Sequence, residues 1–471
     1  MEPLRESIAR CVTGSFPRED DTVTTVVSDR WSSPASALVH DIITNFSPPS
    51  GVGREREVRR INPPKLDGAH LGKNILCYRP MRHGAPNLSI QRSDYGHVVA
   101  HNYGHGGSGW TMGPGSALHV IESLERSFPD LTKDCPITII GAGVSGLFSA
   151  YFLVQKGYQK ITIIADQFEN LTSHNAGGLL APVSMDNAPE MQEVIDRIGV
   201  TAYEFYQAIA EKRHPEFAEG ACIVPTYFRS REKSGLEPYV AAKVMQAAKD
   251  VLLDFGNGTT KEMVAYDDGI FIDTAKMMTA LTDYLKERIS FVQRRISAIS
   301  EIEQEYVINC SGLGARELNQ DEQMVPVQGH LIMLKGQRAE DLQYMILDYS
   351  DVGITHSGQT VQRSFYLFPK KMPDSGPHDI GVIGGTFIEG ATPETPNYEE
   401  FDRLLDGAKR FYGISSADAL PEEHELLDGA RRYYGPSPFG TPIPVSTERE
   451  ALPAPLYEEP DELFYGKLED V

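Results

Sequence analysis

A glycine-rich turn between two apolar runs limits what this chain can fold into more than any other feature. Within residues 136–166, PITIIGAGVSGLFSAYFLVQKGYQKITIIAD, the apolar run 137–140 is typical of a strand buried on both faces. Residues 147–155 are predicted to form a helix that ends at Gly157, and residues 161–164 to form a second buried strand. Strand, helix and strand in this order predict a βαβ unit in an open α/β sheet.

The glycines of this turn have the G-x-G-x-x-G spacing of a dinucleotide site, at Gly141, Gly143 and Gly146. In such a site the first glycine makes the tight turn, the second lets the backbone approach a pyrophosphate, and the third lets helix and strand pack closely. The helix N-terminus offers unpaired N–H groups and a partial positive charge to the phosphates. Asp166, at the end of the second strand, is placed to accept hydrogen bonds from a ribose. The unit is therefore predicted to bind NAD or FAD; a purely structural turn is the alternative.

Composition narrows the class of partner and the compartment. A net charge of −22 argues against nucleic acid and anionic membranes as partners, because like charges repel. The five cysteines are scattered without a CxxC pair, which is typical of a reduced chain without a disulfide framework or zinc site. The first residues lack the apolar core of a signal peptide, no apolar run is long enough to span a membrane, and the last residues carry no peroxisomal signal. We expect a cytoplasmic protein with two or three domains.

A second glycine-rich turn precedes the dinucleotide unit. Residues 74–80 and 96–102 are predicted strands, the loop 103–111 is rich in glycine, and Ser116 is predicted to cap a helix over residues 117–127. Strand, glycine-rich loop and helix form a second place where backbone N–H groups can face an anion or cofactor. The alternative is again a structural turn.

Beyond the dinucleotide unit, the chain first continues with helices and buried strands that end at a glycine, and then changes to alternating strands. A helix is predicted over residues 274–288, and the buried strand 306–310 is followed by another glycine, Gly312. Beyond residue 323 the apolar residues alternate with period two, which predicts an antiparallel sheet that covers the cofactor. A helix is predicted over residues 398–412, and the proline-rich residues after about 440 are expected to be poorly ordered or draped on the surface.

Several segments together resemble the FAD-dependent D-amino acid oxidase family. The loop HNYGHGGSGWT resembles its flavin-binding signature, CYRPMR the segment with the substrate-binding arginine, and SFYLFP the segment with the active-site tyrosine. The segments IADQF, LTS, AGGL and NCSG resemble further flavin contacts. The resemblance favours FAD over NAD, and it implies that Arg79 and Tyr366 hold the substrate carboxylate. It also implies that FAD contacts the following residues: Gly106, Gly107, Ser108, Gly109, Trp110, Thr111, Gly141, Gly143, Val144, Ser145, Gly146, Asp166, Gln167, Thr172, Ser173, Gly178, Leu179, Ile296 and Gly312.

The order of these segments departs from the family, in which G-x-G-x-x-G lies near the N-terminus and the arginine segment and signature loop close the chain. Here the last two come first, which predicts a circular permutation; an unrelated N-terminal domain that mimics the signature is the alternative. The implied fold class is α/β, with a Rossmann-type FAD-binding domain and an antiparallel-sheet α+β substrate domain. The predicted bounds are an N-terminal extension at 1–66, the FAD-binding domain at 67–190 and 270–322, the substrate domain at 191–269 and 323–415, and a C-terminal extension at 416–471.

The C-terminal extension holds other candidates for the arginine that binds the substrate carboxylate. Residues 429–443 also resemble the arginine segment of related amine oxidases, so that Arg431 and Arg432 compete with Arg79, and the extension is interpreted as a remnant of a tandem duplication. Arg79 is favoured because the complete signature loop follows it directly.

The resemblance implies oxidative deamination of a D-amino acid or a similar small amino acid, with oxygen as the second substrate and hydrogen peroxide as a product. The alternatives are a flavin dehydrogenase with another electron acceptor and a non-catalytic FAD-binding protein. Gln362 and Arg363 stand where the family has a second tyrosine, and Ala181 stands at a substrate-contacting position. One interpretation of this departure is that Arg363 favours an acidic substrate side chain. The oligomeric state is left open.

Overall fold

The computed structural model describes residues 56–93, 95–183, 185–371, 376 and 378–414. Arg431, Arg432 and the rest of the predicted C-terminal extension lie outside the described residues, as does the N-terminal extension up to residue 55. Strands and helices are numbered separately in chain order: β1 (Glu57–Arg60), β2 (Leu71–Arg82), β3 (Ile90–Arg92), β4 (Val98–His101), α1 (Gly109–Ser127), β5 (Ile137–Ile140), α2 (Val144–Gln155), β6 (Ile161–Ala165), α3 (Thr172–Asn175), α4 (Gln192–Ala210), β7 (Ala221–Ile223), β8 (Thr226–Phe228), α5 (Glu237–Ala241), β9 (Lys249–Asp254), β10 (Thr260–Tyr266), β11 (Ile270–Ile272), α6 (Thr274–Leu285), β12 (Ser290–Gln293), β13 (Tyr306–Asn309), α7 (Ala315–Leu318), β14 (Met324–Leu334), β15 (Met345–Ile354), β16 (Thr360–Lys371), β17 (Ile380–Glu389) and α8 (Glu399–Tyr412).

The predicted βαβ unit forms the centre of a sheet that has six strands among the described residues, in the order β12-β6-β5-β13-β4-β3. The first five strands are parallel, and β3 pairs antiparallel to β4. Strands β5, β13 and β4 are buried throughout, which explains their continuous apolar runs. The α/β class predicted from the sequence is confirmed.

Strand β4 joins this sheet although it precedes the dinucleotide unit in the chain. Tyr306 of β13 lies opposite Ile137 of β5 on one side and opposite Val98 of β4 on the other. The carboxyl ends of the three strands therefore meet at one edge of the sheet, which is where open α/β sheets bind ligands. The circular permutation stays a prediction, but the residues before Pro136 are an integral part of this layer.

Helix α1 begins earlier than the sequence predicts. We expected it to start after Ser116, whereas it starts at Gly109, within the glycine-rich loop. A Cβ atom at Gly113 would lie 2.9 Å from Cδ2 of Phe148 in α2, and one at Gly115 would lie 2.0 Å from the carbonyl oxygen of Ile198 in α4. The glycines are thus needed for close helix packing, which here outweighs their low helix propensity.

The second sheet is mainly antiparallel, as predicted, and has nine strands within the described ranges, in the order β1-β9-β10-β8-β15-β16-β17-β14-β2. Strands β8 and β15 pair in parallel. The strands predicted at 330–334, 364–368 and 381–387 lie within β14, β16 and β17, which are longer. Strand β2 pairs with β14 from Arg82 to Leu71, although the predicted domain bounds placed residues 67–190 with the cofactor domain. The segment before the dinucleotide unit therefore contributes to both sheets.

Within the described part of the chain, no helix has the length and apolarity needed to cross a lipid bilayer.

Replacing Gly115 by alanine should destabilise the fold by about 1–3 kcal/mol, because the new methyl group would overlap the Ile198 carbonyl where α1 crosses α4. Urea unfolding followed by circular dichroism measures this loss. The matched control is Gly68→Ala, since no atom lies within 4 Å of a Cβ at that position. Equal midpoints for both variants would contradict the packing role of Gly115.

Candidate active site

A cavity of about 730 Å³ lies between the carboxyl edge of the six-stranded sheet and one face of the nine-stranded sheet. Its volume is within the range of protein sites for cofactors and small ligands. Asn102, Gly143 and Gly312 line it from the strand ends of the first sheet, and Arg79 and Tyr366 line it from the second. The two groups of residues predicted from separate segments thus share one cavity.

The dinucleotide turn presents the N-terminus of α2 to this cavity. Gly143, Val144 and Ser145 line the wall, and a Cβ at Gly143 would lie 3.3 Å from Oγ of Ser173. The Val144 N–H donates to that Ser173 oxygen at 3.0 Å. Thr172 lines the same wall. Backbone N–H groups and two hydroxyls therefore converge where the sequence predicts phosphates.

The glycines of this turn that do not line the cavity have a packing role. Gly141 has a positive φ of 104°, and a Cβ there would lie 2.4 Å from the Cys310 carbonyl oxygen. A Cβ at Gly146 would lie 2.0 Å from the Gly141 carbonyl oxygen. The first and third glycines thus permit the turn and the close packing of α2, as expected from their spacing.

The signature loop forms the adjoining wall. Gly106, Gly107, Gly109 and Trp110 line the cavity, and Nε1 of Trp110 donates to the Ser173 carbonyl at 2.8 Å. The remaining two predicted residues of the loop lie behind the wall. Ser108 donates to the Val183 carbonyl at 2.6 Å, and Thr111 donates to the Ala181 carbonyl at 3.0 Å. They position the segment that carries Gly178 and Leu179, both of which line the cavity.

Three other predicted cofactor residues lie away from the cavity lining. Asp166 is exposed just beyond the end of β6, and Gln167 follows it, half-buried. Ile296 packs against a small apolar cluster beside the first sheet. Their predicted contacts with FAD stay predictions.

Arg79 and Tyr366 form the polar centre of the opposite wall. The Arg79 guanidinium lies over Gly329, where a Cβ would be 2.5 Å from Nη2, and Nη1 donates to the Thr386 carbonyl at 2.9 Å. Tyr366 lines the same wall, and the Arg79 charge acts on its phenol. Burial raises the pKa of Tyr366 to about 12, against the opposing effect of the Arg79 charge, so the phenol stays protonated at neutral pH. A protonated phenol and a guanidinium side by side are donors suited to a carboxylate.

Two buried polar atoms in the cavity wall lack the hydrogen-bond partner that a bound ligand would supply. Among the described residues, Nε2 of His105 and Oδ1 of Asn102 have no hydrogen-bond partner, and both residues line the cavity. Burial lowers the pKa of His105 to about 4, so the imidazole is neutral at pH 7. Unpaired buried polar atoms are costly, so a ligand that supplies their partners is stabilised there. Together with the α2 N-terminus, the residues present fit the pyrophosphate and the flat, polar-edged ring of FAD.

Lys370 is a buried cation that sequence reasoning missed. Its side chain is 1% exposed, and Nζ donates to the His174 carbonyl at 3.1 Å and to Oγ1 of Thr274 at 2.7 Å. Thr274 in turn donates to the His174 and Ala176 carbonyls, both at 3.1 Å. Lys370 thus connects the nine-stranded sheet to the end of α3, the helix that carries Thr172 and Ser173. Strand alternation from Tyr366 places Lys370 on the cavity face, which was the available signal.

Arg363 does not face the cavity. Its Nε and Nη2 donate to the two carboxylate oxygens of Glu400, each at 2.7 Å, and the Glu400 side chain is fully buried in α8. The interpretation that Arg363 selects an acidic substrate is therefore wrong. The neighbouring Gln362 does line the cavity, as strand alternation requires.

Three charged or titratable side chains at the edge of the cavity were also missed by sequence reasoning. His83, Asp186 and Glu389 line the cavity, and their side chains are 44%, 46% and 45% exposed. We call them the rim cluster. They come from three distant segments, so the sequence carries no local signal for them. Among the described residues, the rim cluster included, no group of three or more histidine, cysteine, aspartate or glutamate side chains is arranged to hold a metal ion.

Comparison with known proteins identifies the class to which this fold and cavity belong. A family model described as "DAO: FAD dependent oxidoreductase" matches residues 136–453. The chain therefore belongs to the DAO family of FAD-dependent oxidoreductases, and FAD is its cofactor.

Individual relatives are more distant. The chain is 28% identical to a D-amino-acid oxidase of Dictyostelium discoideum over 217 residues, which cover 42% of this chain and 57% of the relative. It is 24% identical to a D-amino-acid oxidase of Streptomyces coelicolor over 222 residues, 44% of this chain and 61% of the relative. The chain thus spans about three fifths of the length of these two curated relatives. It is 28% identical to human D-aspartate oxidase over 285 residues, 57% of this chain and 73% of the relative.

A solved structure with a similar chain is glycine oxidase from Bacillus cereus. The identity is 16%, the TM-score is 0.38, and the match covers 59% of this chain and 79% of that chain.

Replacing Lys370 by methionine should weaken FAD binding about 10-fold or more, because α3 would lose the hydrogen bonds that fix its end. Flavin fluorescence titration of the apoprotein measures the dissociation constant without any turnover. Lys371→Met is the matched control, because this neighbour lies on the other side of the strand. Equal FAD affinity of both variants would show that Lys370 does not position α3.

Proposed function

We propose that the protein catalyses the FAD-dependent oxidative deamination of a D-amino acid or a similar small amino acid, with release of an imino acid that hydrolyses to the keto acid. The single observation that carries this proposal is that Arg79 and Tyr366 line the same cavity as the α2 N-terminus. In the chemistry that FAD supplies when bound, the substrate α-carbon loses a hydride to flavin N5, and oxygen is reduced to hydrogen peroxide.

Arg79 and Tyr366 would bind and orient the substrate. A guanidinium donates two parallel hydrogen bonds to a carboxylate, and the protonated Tyr366 hydroxyl adds a third donor. The carboxylate is thereby fixed, and with it the direction of the α-carbon, which is the positioning that hydride transfer requires. Since Arg79 is itself held by the Thr386 carbonyl and by the space above Gly329, little freedom is lost on binding.

The apolar part of the cavity would exclude water from the reacting atoms. Leu331, Leu347 and Phe368 line it near the pair, and the Tyr366 and Phe368 rings are stacked 4.5 Å apart at 7°. The stacked ring restricts the movement of Tyr366 and keeps its hydroxyl beside Arg79. An apolar wall also strengthens the ionic contact between substrate and guanidinium, because the local dielectric constant is low.

The experiment that tests the function follows the colour of the purified holoprotein. We expect anaerobic addition of a D-amino acid to bleach the flavin absorbance, and air to restore it with release of hydrogen peroxide. Bleaching without fast recovery in air would show a dehydrogenase with another acceptor. A yellow protein that no amino acid or amine bleaches would contradict the proposed function.

Replacing Arg79 by leucine should raise KM for amino acid substrates at least about 100-fold, because the carboxylate would lose its paired charge, while FAD binding stays the same. Steady-state kinetics and flavin fluorescence measure the two effects separately. Arg92→Leu is the control, since Arg92 lies outside the cavity and pairs with Glu305. An unchanged KM in Arg79→Leu, with a raised KM in Arg431→Leu or Arg432→Leu, would assign the carboxylate to the C-terminal segment instead.

A further inference from the structure

The rim cluster is a set of charged groups for which the proposed reaction has no use. Nε2 of His83 lies 2.8 Å from Oε1 of Glu389, and Nδ1 lies 3.6 Å from Oδ2 of Asp186. The Gly84 N–H also donates to Oδ2 of Asp186 at 2.8 Å. One imidazole thus stands between two carboxylates at the edge of the cavity.

Strand register fixes where Glu389 lies relative to the carboxylate anchor. Val327 of β14 is opposite Arg79 of β2 on one side and opposite Glu389 of β17 on the other. Opposed residues of antiparallel strands point to the same face, and two strand spacings separate their Cα atoms by roughly 10 Å. Arg79 and Glu389 therefore both rise from the cavity face of the sheet.

The direction of the Arg79 side chain shows which of the two charged groups, the Arg79 guanidinium or the Glu389 carboxylate, lies deeper in the cavity. Its guanidinium lies over Gly329 and contacts Thr386, which precedes Glu389 on β17. His83 follows Arg79 on the chain and meets Glu389 at the rim. A substrate whose carboxylate is held by Arg79 thus has Glu389 and Asp186 on the side toward solvent, within reach of a long side chain.

The other charges of the cavity decide which side chain fits there. Arg79 is used by the substrate carboxylate, and His105 is neutral because burial lowers its pKa to about 4. Lys233 is an exposed cation of the lining, on the loop between β8 and α5. The two carboxylates of the rim cluster, backed by the aromatic ring of Phe387 on the same face of β17, offer an anionic end and an apolar flank.

We propose that Glu389 and Asp186 form a subsite for a cationic side chain, so that the substrate class is amino acids with a basic side chain of lysine or arginine length. This inference rests on the proposed function. An ammonium or guanidinium is attracted by the two carboxylates and its methylene stem covers Phe387, whereas an acidic side chain meets like charge. Because the rim is half-exposed, the preference is moderate and falls with ionic strength.

The test compares kcat/KM for D-lysine, D-norleucine and D-glutamate in the holoenzyme. D-lysine and D-norleucine have the same unbranched carbon stem and differ in the terminal charge, whereas D-glutamate has a shorter stem that ends in a negative charge. We expect the wild type to prefer D-lysine over D-norleucine, and Glu389→Gln to lower this ratio about 5- to 30-fold through the KM for D-lysine. His83→Ala should raise the ratio, because the competing imidazole is removed from the carboxylates.

The matched control is Glu317→Gln, which removes an equal charge from an exposed glutamate that pairs with Arg295. The subsite would be overturned if the ratio of D-lysine to D-norleucine fell equally in Glu317→Gln or stayed unchanged in Glu389→Gln. A wild-type enzyme that prefers D-glutamate to D-lysine would overturn it as well. In these cases D-norleucine turnover still supports the proposed function. If no amino acid reduces the flavin, the proposed function and the subsite fail together, so the two failures are distinguishable.

Discussion

The pairing of β2 with β14 is the contact on which the candidate site depends. It runs from Arg82 opposite Met324 to Leu71 opposite Leu334, and it places Arg79 beside Gly329. Without a side chain at Gly329, the guanidinium lies flat on the sheet and reaches the Thr386 carbonyl of the next strand. A one-residue slip of β2 would turn Arg79 to the other face. The position of the proposed carboxylate anchor is thus set by backbone register.

The two layers are connected at α3, whose backbone and side-chain oxygens accept hydrogen bonds from three separate segments. Ser173 accepts from Val144 of the dinucleotide turn and from Trp110 of the signature loop, while Lys370 of the nine-stranded sheet donates to the His174 carbonyl. Burying an ammonium without a hydrogen-bonded carboxylate is costly, and burial lowers the pKa of Lys370 to about 8. A cation at the end of α3 also complements the carbonyl groups there. The arrangement makes the shape of the cofactor wall depend on the substrate sheet.

The sequence predicted those features that are encoded within a short segment. The dinucleotide turn, the start of α6 at Thr274 and the alternating strands have local signals, and the structure has them where expected. The early start of α1 was missed because its glycines serve contacts with Ile198 and Phe148, which lie far away in the chain. The orientation of Arg363 was predictable, because period-two alternation already separates it from Tyr366. The rim cluster was not predictable, because its three members meet only in the folded protein.

The distribution of charge over the site favours one direction of approach and one orientation of the substrate. Both cavity carboxylates, Asp186 and Glu389, are half-exposed at the edge, whereas the Arg79 guanidinium lies inside beside the buried Tyr366. The whole chain carries a net charge of −22, so the field outside attracts cations and repels anions. In the proposed function, a basic amino acid would be drawn toward the rim by its side chain, and its carboxylate would be bound by Arg79 within the cavity. An acidic amino acid would be repelled both by the field outside the protein and by the rim carboxylates, so the rim would select against it before its carboxylate reaches Arg79.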